Sequence, residues 1–127
     1  KLDIFSNEVI RRNELAEYYT KNLSKSYKTP FVPTDYISSW AQYSIVSQSK
    51  NQRSEIIEHL DSFDIPAMVY YRIPLHLQEV FLDLGYNKSD FPISERIANK
   101  IFSIPMHPYL EKKQQDQIIE VLNAFEQ

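Results

Sequence analysis

The chain has 127 residues, a formal charge of −3, 13% aromatic residues, one glycine and no cysteine. That length suits a single domain burying about 65–70% of its unfolded surface, and the absence of cysteine excludes disulfides and thiolate metal sites. The lone Gly85 excludes a glycine-rich phosphate loop, scattered Lys and Arg argue against a nucleic-acid partner, and no apolar run approaches the ~18 residues of a membrane span.

A cytoplasmic protein without a membrane partner is therefore expected, and any phosphate must be met by side chains or by another polypeptide segment. Leu2, Phe5, Val9, Arg12, Ala16, Tyr19 and Leu23 alternate steps of three and four, so residues 1–23 are predicted to form a long helix. No N-cap precedes Leu2, and the pattern starts in full phase. Residue 1 is accordingly expected to be an internal point of a longer chain. Arg12 interrupts the apolar stripe one turn after Glu8. It forms either a surface ion pair worth about 0.3–0.5 kcal/mol or a cation directed at a cleft or a second domain.

Residues 24–38, with Pro30 and Pro33, read as a linker. Residues 39–46 read as a strand with Trp40, Gln42 and Ser44 on one face and Ala41, Tyr43 and Ile45 on the other. Gln42 either faces solvent or stands over a site. Residues 51–63 read as a helix burying Ile56, Leu60 and Phe63, with Asp64 taking the left-handed conformation at its end. A short strand is predicted at 67–71, stopped by Pro74. A helix at 75–84 is expected to pack Leu77, Val80, Phe81 and Leu84 inward before the turn at Gly85. Pro92 is placed as the first residue of the next helix, capped by Asp90 and buried through Ile93, Ile97 and Ile101. Residues 102–104 form a last strand, and 111–125 an amphipathic helix with Ile118, Val121, Leu122 and Phe125 inside. The predicted architecture is α/β in the α+β manner: a two-layer sandwich of a small, mostly antiparallel sheet with helices packed on it, preceded by the long helix.

Chemistry is sparse. No HExxH, GxSxG or metal-spaced cluster is present, and His59, His76 and His107 fall in three different elements. The richest segment is 68–78, where Tyr70, Tyr71, Arg72 and His76 crowd a strand exit beside Pro74. A buried strand has no need of such an ending, whereas a strand that delivers side chains to a ligand does.

The runs AMVYYRIPLHLQEVF (67–81) and FPISERIANKIFSIPMHPYL (91–110) carry a resemblance, as do the opening EVIRRNELAEYYTKNL (8–23) and SSWAQYSI (38–45). Together they resemble the C-terminal small domain of the DegT/DnrJ/StrS family, pyridoxal-phosphate-dependent nucleotide-sugar aminotransferases of the aspartate-aminotransferase fold. The family pattern at the strand exit is His-Tyr-Pro-x-Pro-Leu-His. Here Tyr71, Pro74, Leu75 and His76 match, Tyr70 stands for the first His and Arg72 for the first Pro.

The resemblance implies a division into a connecting helix (1–23) and a small-domain body (24–127). It implies that Tyr70 and Tyr71 lie beside the nucleotide-sugar, with Arg72, His76, Trp40 and Gln42 completing the substrate-binding set. Arg72 either meets a diphosphate or carboxylate or is a surface residue. Catalytic and cofactor-binding residues, the cofactor-bearing lysine among them, would belong to a large domain upstream of Lys1. By the same resemblance the intact enzyme is a homodimer. It transfers an amino group, from glutamate, to a keto nucleotide-sugar that feeds surface-polysaccharide or glycan synthesis, and this part shapes and closes the cleft. An apolar patch is then expected at Tyr70, Trp40 or the first helix. The alternative is a free-standing, non-catalytic α/β binding module.

Overall fold

The computed structural model describes residues 2–125. Helix α1 spans Leu2–Asn22, but only its second half meets the core, through Leu15, Ala16 and Tyr19. Leu2, Ile4, Phe5 and Ile10 in the first half are exposed. Glu8 and Arg12 look elsewhere than to each other. The Tyr109 hydroxyl donates to Glu8 Oε1, and Arg12 Nη1 donates to the Ser39 carbonyl at 3.4 Å. Asn13 Nδ2 donates to the Ser38 carbonyl at 3.0 Å, and Trp40 Nε1 to Asn13 Oδ1 at 3.0 Å. These bonds fold the predicted linker back along α1.

Strand β1 (Tyr43–Val46) pairs antiparallel with β2 (Ile101–Ile104), Tyr43 opposite Ile104 and Val46 opposite Ile101. Single bridges add one residue to each outer edge, Lys28 on Val46 and Met68 on Ser103. β1 starts four residues later than its alternation predicts, because Trp40 takes a positive φ of 47° and its ring lies 5.5 Å from Tyr43. The predicted faces hold within the strand, where Tyr43 and Ile45 are buried. The predicted strand at 67–71 contracts to the Met68 bridge, with N–H to O distances of 3.0 and 2.7 Å to and from Ser103. The Tyr70-Tyr71 peptide is cis.

Helix α2 (Lys50–Asp61) is capped by Ser49, whose hydroxyl accepts from the Gln52 N–H at 3.1 Å. It closes as predicted, with Asp64 left-handed at φ 56° and the Ile65 N–H returning to the Leu60 carbonyl. Phe63 is exposed, contrary to expectation, because the chain has already left the helix at Ser62. Helix α4 (Lys112–Ala124) opens with a capping box between Glu111 and Gln114. It buries Ile118, Val121 and Leu122. The buried Gln115 amide donates to the Leu15 carbonyl at 2.8 Å, which ties α4 to α1.

The core lies between the sheet and these helices and is built around Tyr19, Tyr43, Phe102, Ile45, Ile56, Leu60 and Leu122. The two buried phenols are spent locally, Tyr19 on the Pro105 carbonyl at 3.0 Å and Tyr43 on Thr20 Oγ1 at 2.7 Å. Burial pushes Tyr19 well above the ordinary phenol value and raises Tyr43 as well, so each remains a neutral hydroxyl. No helix among the described residues is long and apolar enough to cross a membrane.

The segment between the Met68 bridge and β2 departs most from expectation. The predicted helix at 75–84 is two 3-10 turns, Leu75–Leu77 and Glu79–Leu84, separated by an extended Gln78. Val80, Phe81 and Leu84 face solvent rather than the core. Gly85 makes the turn at φ 77°, and Pro92 opens α3 (Pro92–Ala98) as predicted. Asp90 does not cap α3, because its carboxylate accepts from the Asn87 N–H at 2.7 Å. Ile93 is exposed, Ile97 and Ile101 are half-buried, and Ala98 carries the buried contact of α3.

This segment is closed by one clasp. His76 Nε2 lies 3.1 Å from Glu95 Oε1, the imidazole packs 4.7 Å from the Phe91 ring, and the Ser89 N–H donates to the same Glu95 oxygen at 2.7 Å. Burial pushes the Glu95 carboxyl up, but the backbone N–H groups of Ser89 and Phe91 and the His76 imidazole outweigh it, so the group titrates below the ordinary glutamate value.

Two outcomes follow. Phe102→Ala is expected to cost about 3–5 kcal/mol in urea unfolding, whereas Ile93→Ala should change stability by no more than about 0.5 kcal/mol. A carboxyl depressed in the folded state contributes stability that is present above its unfolded value and lost as pH falls through its folded value. The melting temperature of the native chain should therefore fall faster than that of Glu95→Gln once pH drops below the ordinary glutamate range. Parallel melting curves for the two chains across acid pH would expose the error.

Candidate functional site

Beyond the Met68 bridge the backbone alternates once more. Val69 packs against the core, and Tyr70 turns outward, 42% exposed. Tyr71 follows at 69% exposed, and Arg72 is exposed as well. Tyr70 stands as a ridge between two hollows. The larger, about 210 Å³, is lined by Tyr70, Tyr71, Ile73, Pro74, Leu75, Ser94, Ile97, Ala98 and Ile101. The smaller, about 170 Å³, is lined by Tyr70, Ala41, Gln42, Pro66, Met68, Ser103, Ile104, Pro105 and Met106.

The fold thus brings Tyr70, Tyr71 and Gln42 around the two hollows, whereas Arg72 is exposed and lines neither. Gln42 is exposed beside the smaller hollow. His76 is buried behind the ridge, with its imidazole on Glu95 and Phe91. Trp40 is half-buried and lines a different, larger groove of about 1220 Å³ between α1 and residues 30–37. Phe31, Tyr36 and Ile37 project from that groove's far wall and are exposed. Of the places where an apolar patch was expected, Tyr70 and the first half of α1 are exposed, whereas Trp40 is held in by Asn13 and Tyr43.

Two residues to which the sequence alone assigned no role matter to this surface. Glu95, in the run Pro92-Ile93-Ser94-Glu95, supplies the clasp for His76. Arg53 sits on the buried stripe of α2 with Ile56 and Leu60, a three-then-four spacing that was readable as inward. It is 8% exposed, and its Nη1 donates to the Ala98 carbonyl at 2.7 Å. Burial, and after it the nearby Arg72 charge, hold its pKa below the ordinary guanidinium value.

The surface around the two hollows offers phenol hydroxyls, aromatic faces and an amide. Such groups recognise and orient a polar ligand through stacking and hydrogen bonds. Among the described residues no cluster of His, Asp or Glu is arranged to hold a metal ion.

Comparison with known proteins gives the family and the fold. The chain is 33% identical over 112 residues to the UDP-2-acetamido-2-deoxy-3-oxo-D-glucuronate aminotransferase of Pseudomonas aeruginosa, matching 87% of this chain and 30% of that protein. It superposes on the crystal structure of a DegT DnrJ EryC1 StrS aminotransferase from Brucella abortus with a TM-score of 0.88 and 37% identity, covering 98% of this chain and 32% of that one. The sugar aminotransferase Spr1654 of Streptococcus pneumoniae, described as putative and solved in its PLP-form, shares the fold at a TM-score of 0.86 and 23% identity over 98% of this chain and 32% of that one. The chain thus spans about a third of the length of these relatives. With the profile of the DegT/DnrJ/EryC1/StrS aminotransferase family matching residues 1–123, the chain belongs to that family.

Proposed function

We propose that this chain is the C-terminal small domain of a pyridoxal-phosphate-dependent aminotransferase that moves an amino group, from glutamate, onto a keto group of a nucleotide-sugar. Residues 1–23 are its connecting helix and 24–127 its body. The product would feed surface-polysaccharide or glycan synthesis, and the intact enzyme would be a cytoplasmic homodimer. The observation that carries this reading is the outward presentation of Tyr70 and Tyr71 over two hollows, at the positions of the family's His-Tyr pair. The substrate named for the Pseudomonas relative supports the same substrate class.

Roles follow from chemistry. Tyr71 and Tyr70 stack on or hydrogen-bond the nucleotide-sugar. A phenol at Tyr70 suits a hydrogen bond but not a proton switch near neutral pH. Gln42 supplies an amide beside the smaller hollow. His76 acts from behind, by holding the loop that carries Arg72 and Pro74, and Trp40 fixes the junction between α1 and the body.

Pyridoxal phosphate, when bound, supplies the electron sink of transamination. Neither hollow is lined by a lysine or a carboxylate, so the ridge does not fit as its seat. We assign the cofactor to the part of the enzyme outside this chain, and the isolated chain should be inactive. The chain's contribution is to orient the sugar and exclude water from the cleft.

The test uses the complete polypeptide that contains these residues, supplied with glutamate and a UDP-linked 3-keto sugar. Formation of the amino sugar is read by mass spectrometry. Tyr71→Ala should lower kcat/KM for the sugar by about tenfold or more, the loss of one or two hydrogen-bonding or stacking contacts. Turnover of glutamate should persist. The 127-residue chain mixed with pyridoxal phosphate should give no protein-linked absorbance band. Such a band on a lysine of this chain would overturn the assignment of the cofactor outside it, and a complete polypeptide inert toward nucleotide-sugars would favour the non-catalytic binding module.

A further inference from the structure

The two hollows at Tyr70 are small, about 210 and 170 Å³, each below the roughly 300–1,000 Å³ of a site that encloses a small molecule. A third hollow of about 460 Å³ adjoins the smaller one, and Pro66 and Pro105 line both. Four residues of chain span no more than about 14 Å, so Pro66 stands within that distance of Tyr70. The lining of the third hollow reaches the core at Ile65 and Ile118. Its polar and aromatic groups are Phe63, Asp64, His107 and Gln117.

Phe63 is 46% exposed, and His59 meets its ring edge-to-face at 5.2 Å. An aromatic ring left outside the core and braced on one side offers a surface for stacking. Asp64 is exposed and left-handed at φ 56°, a conformation that glycine takes without strain and aspartate at some cost. The side chains of Asp64, His107 and Gln117 have no hydrogen-bond or ion-pair partner among the described residues. No Lys or Arg lines the hollow, so a phosphate or a sugar carboxylate would meet the Asp64 charge with no Lys or Arg to offset it. The part of a ligand that fits is flat, uncharged and able to donate hydroxyls.

We propose that this hollow is a nucleoside subsite, in which Phe63 stacks on the base and the Asp64 carboxylate accepts hydrogen bonds from the 2′- and 3′-hydroxyls of a ribose. The inference rests on the reading of Tyr70 and Tyr71 as the sugar-facing surface and assigns the other end of the same ligand. The path runs from the sugar at Tyr70, across the wall of Pro66 and Pro105, to the nucleoside beyond it. His107 and Gln117 offer a ring nitrogen and an amide to the polar edge of the base. Two hydroxyls on one carboxylate make two charge-assisted bonds, and a 2′-deoxyribose keeps only one of the pair. Asp64 therefore selects a ribonucleotide carrier over a deoxyribonucleotide one.

The experiment titrates the 127-residue chain with uridine, 2′-deoxyuridine and inorganic phosphate and follows binding by NMR. Uridine should move the signals of Phe63, Asp64 and His107, and inorganic phosphate should leave them in place. Uridine should bind about tenfold more tightly than 2′-deoxyuridine, the worth of one hydrogen bond to a charged group. Asp64→Asn keeps a residue that tolerates the left-handed conformation, and it should narrow that ratio to about twofold or less. Asp64→Gly removes the strain and the carboxylate together. Its melting temperature should rise while uridine binding weakens, a pairing that a purely structural role for Asp64 does not produce. Phe63→Ala, in a chain whose melting curve shows it folded, should weaken both nucleosides and leave their ratio intact.

No binding of uridine, equal affinity of the native chain for the two nucleosides, or shifts confined to residues outside the hollow overturns the proposal. In the complete polypeptide, native kinetics of Asp64→Asn and Phe63→Ala with a UDP-linked keto sugar would sink the subsite and leave the aminotransferase reading standing. Uridine bound at Phe63 and Asp64, beside a complete polypeptide that aminates no sugar, would do the reverse.

Discussion

The contact on which the half of this chain that carries Tyr70 and Tyr71 depends is the one between His76 and Glu95. From Glu79 to Ser94 every residue is exposed, and a segment that buries so little apolar surface has no hydrophobic reason to hold one shape. What shapes it is polar and local: an imidazole on a carboxylate, a backbone N–H on the same oxygen, and Phe91 over the imidazole with Tyr86 against it at 5.2 Å. The clasp joins a residue just after the strand exit to one in α3. It thereby fixes both walls of the larger hollow at once, since Pro74 and Leu75 precede His76 while Ser94 and Ile97 flank Glu95. The two blocks that carry the resemblance in sequence are, in space, the two halves of this clasp.

The other half of the molecule is held in the usual apolar way. α1, α2 and α4 close over one side of a sheet only two strands wide. Sheets that narrow need a helix layer for stability. The buried phenols of Tyr19 and Tyr43 and the amide of Gln115 are each spent on a partner inside this layer, so the core is specific as well as apolar. The ridge is rooted in this rigid half through the Met68 bridge and Val69, while its outer face is shaped by the clasp. A surface built this way has its base in the apolar core and its rim in a polar clasp.

Under the function proposed above, that arrangement serves to orient a substrate. The groups around the hollows are aromatic and amide, suited to stacking and hydrogen bonding. The long apolar groove beside α1 and the exposed first half of that helix lie apart from the ridge. The chain spans about a third of the length of its relatives, which leaves room for the bond chemistry to lie in another segment under the function proposed above.

Much of the fold was legible from residue order alone, because it rests on short-range rules. Helical period located α1, α2 and α4. Left-handed tolerance placed the stop at Asp64, proline geometry opened α3 at Pro92, and alternation sorted Tyr43 and Ile45 inward. Those rules failed where an apolar pattern had no surface to bury against. Val80, Leu84 and Ile93 keep a helical spacing but face solvent, and period alone does not say whether a partner is present. The strand exit announced itself through its crowded side chains. Which of them turn out was decided by tertiary contacts: Tyr70 and Tyr71 outward, His76 inward onto a carboxylate nineteen residues away, and Trp40 drawn to Asn13 by a backbone kink. Local sequence determined the elements and the chemical vocabulary of the ridge. Only the packed chain decided which groups share a hollow, because charge and hydrogen-bond partners distant in sequence are chosen by proximity in space.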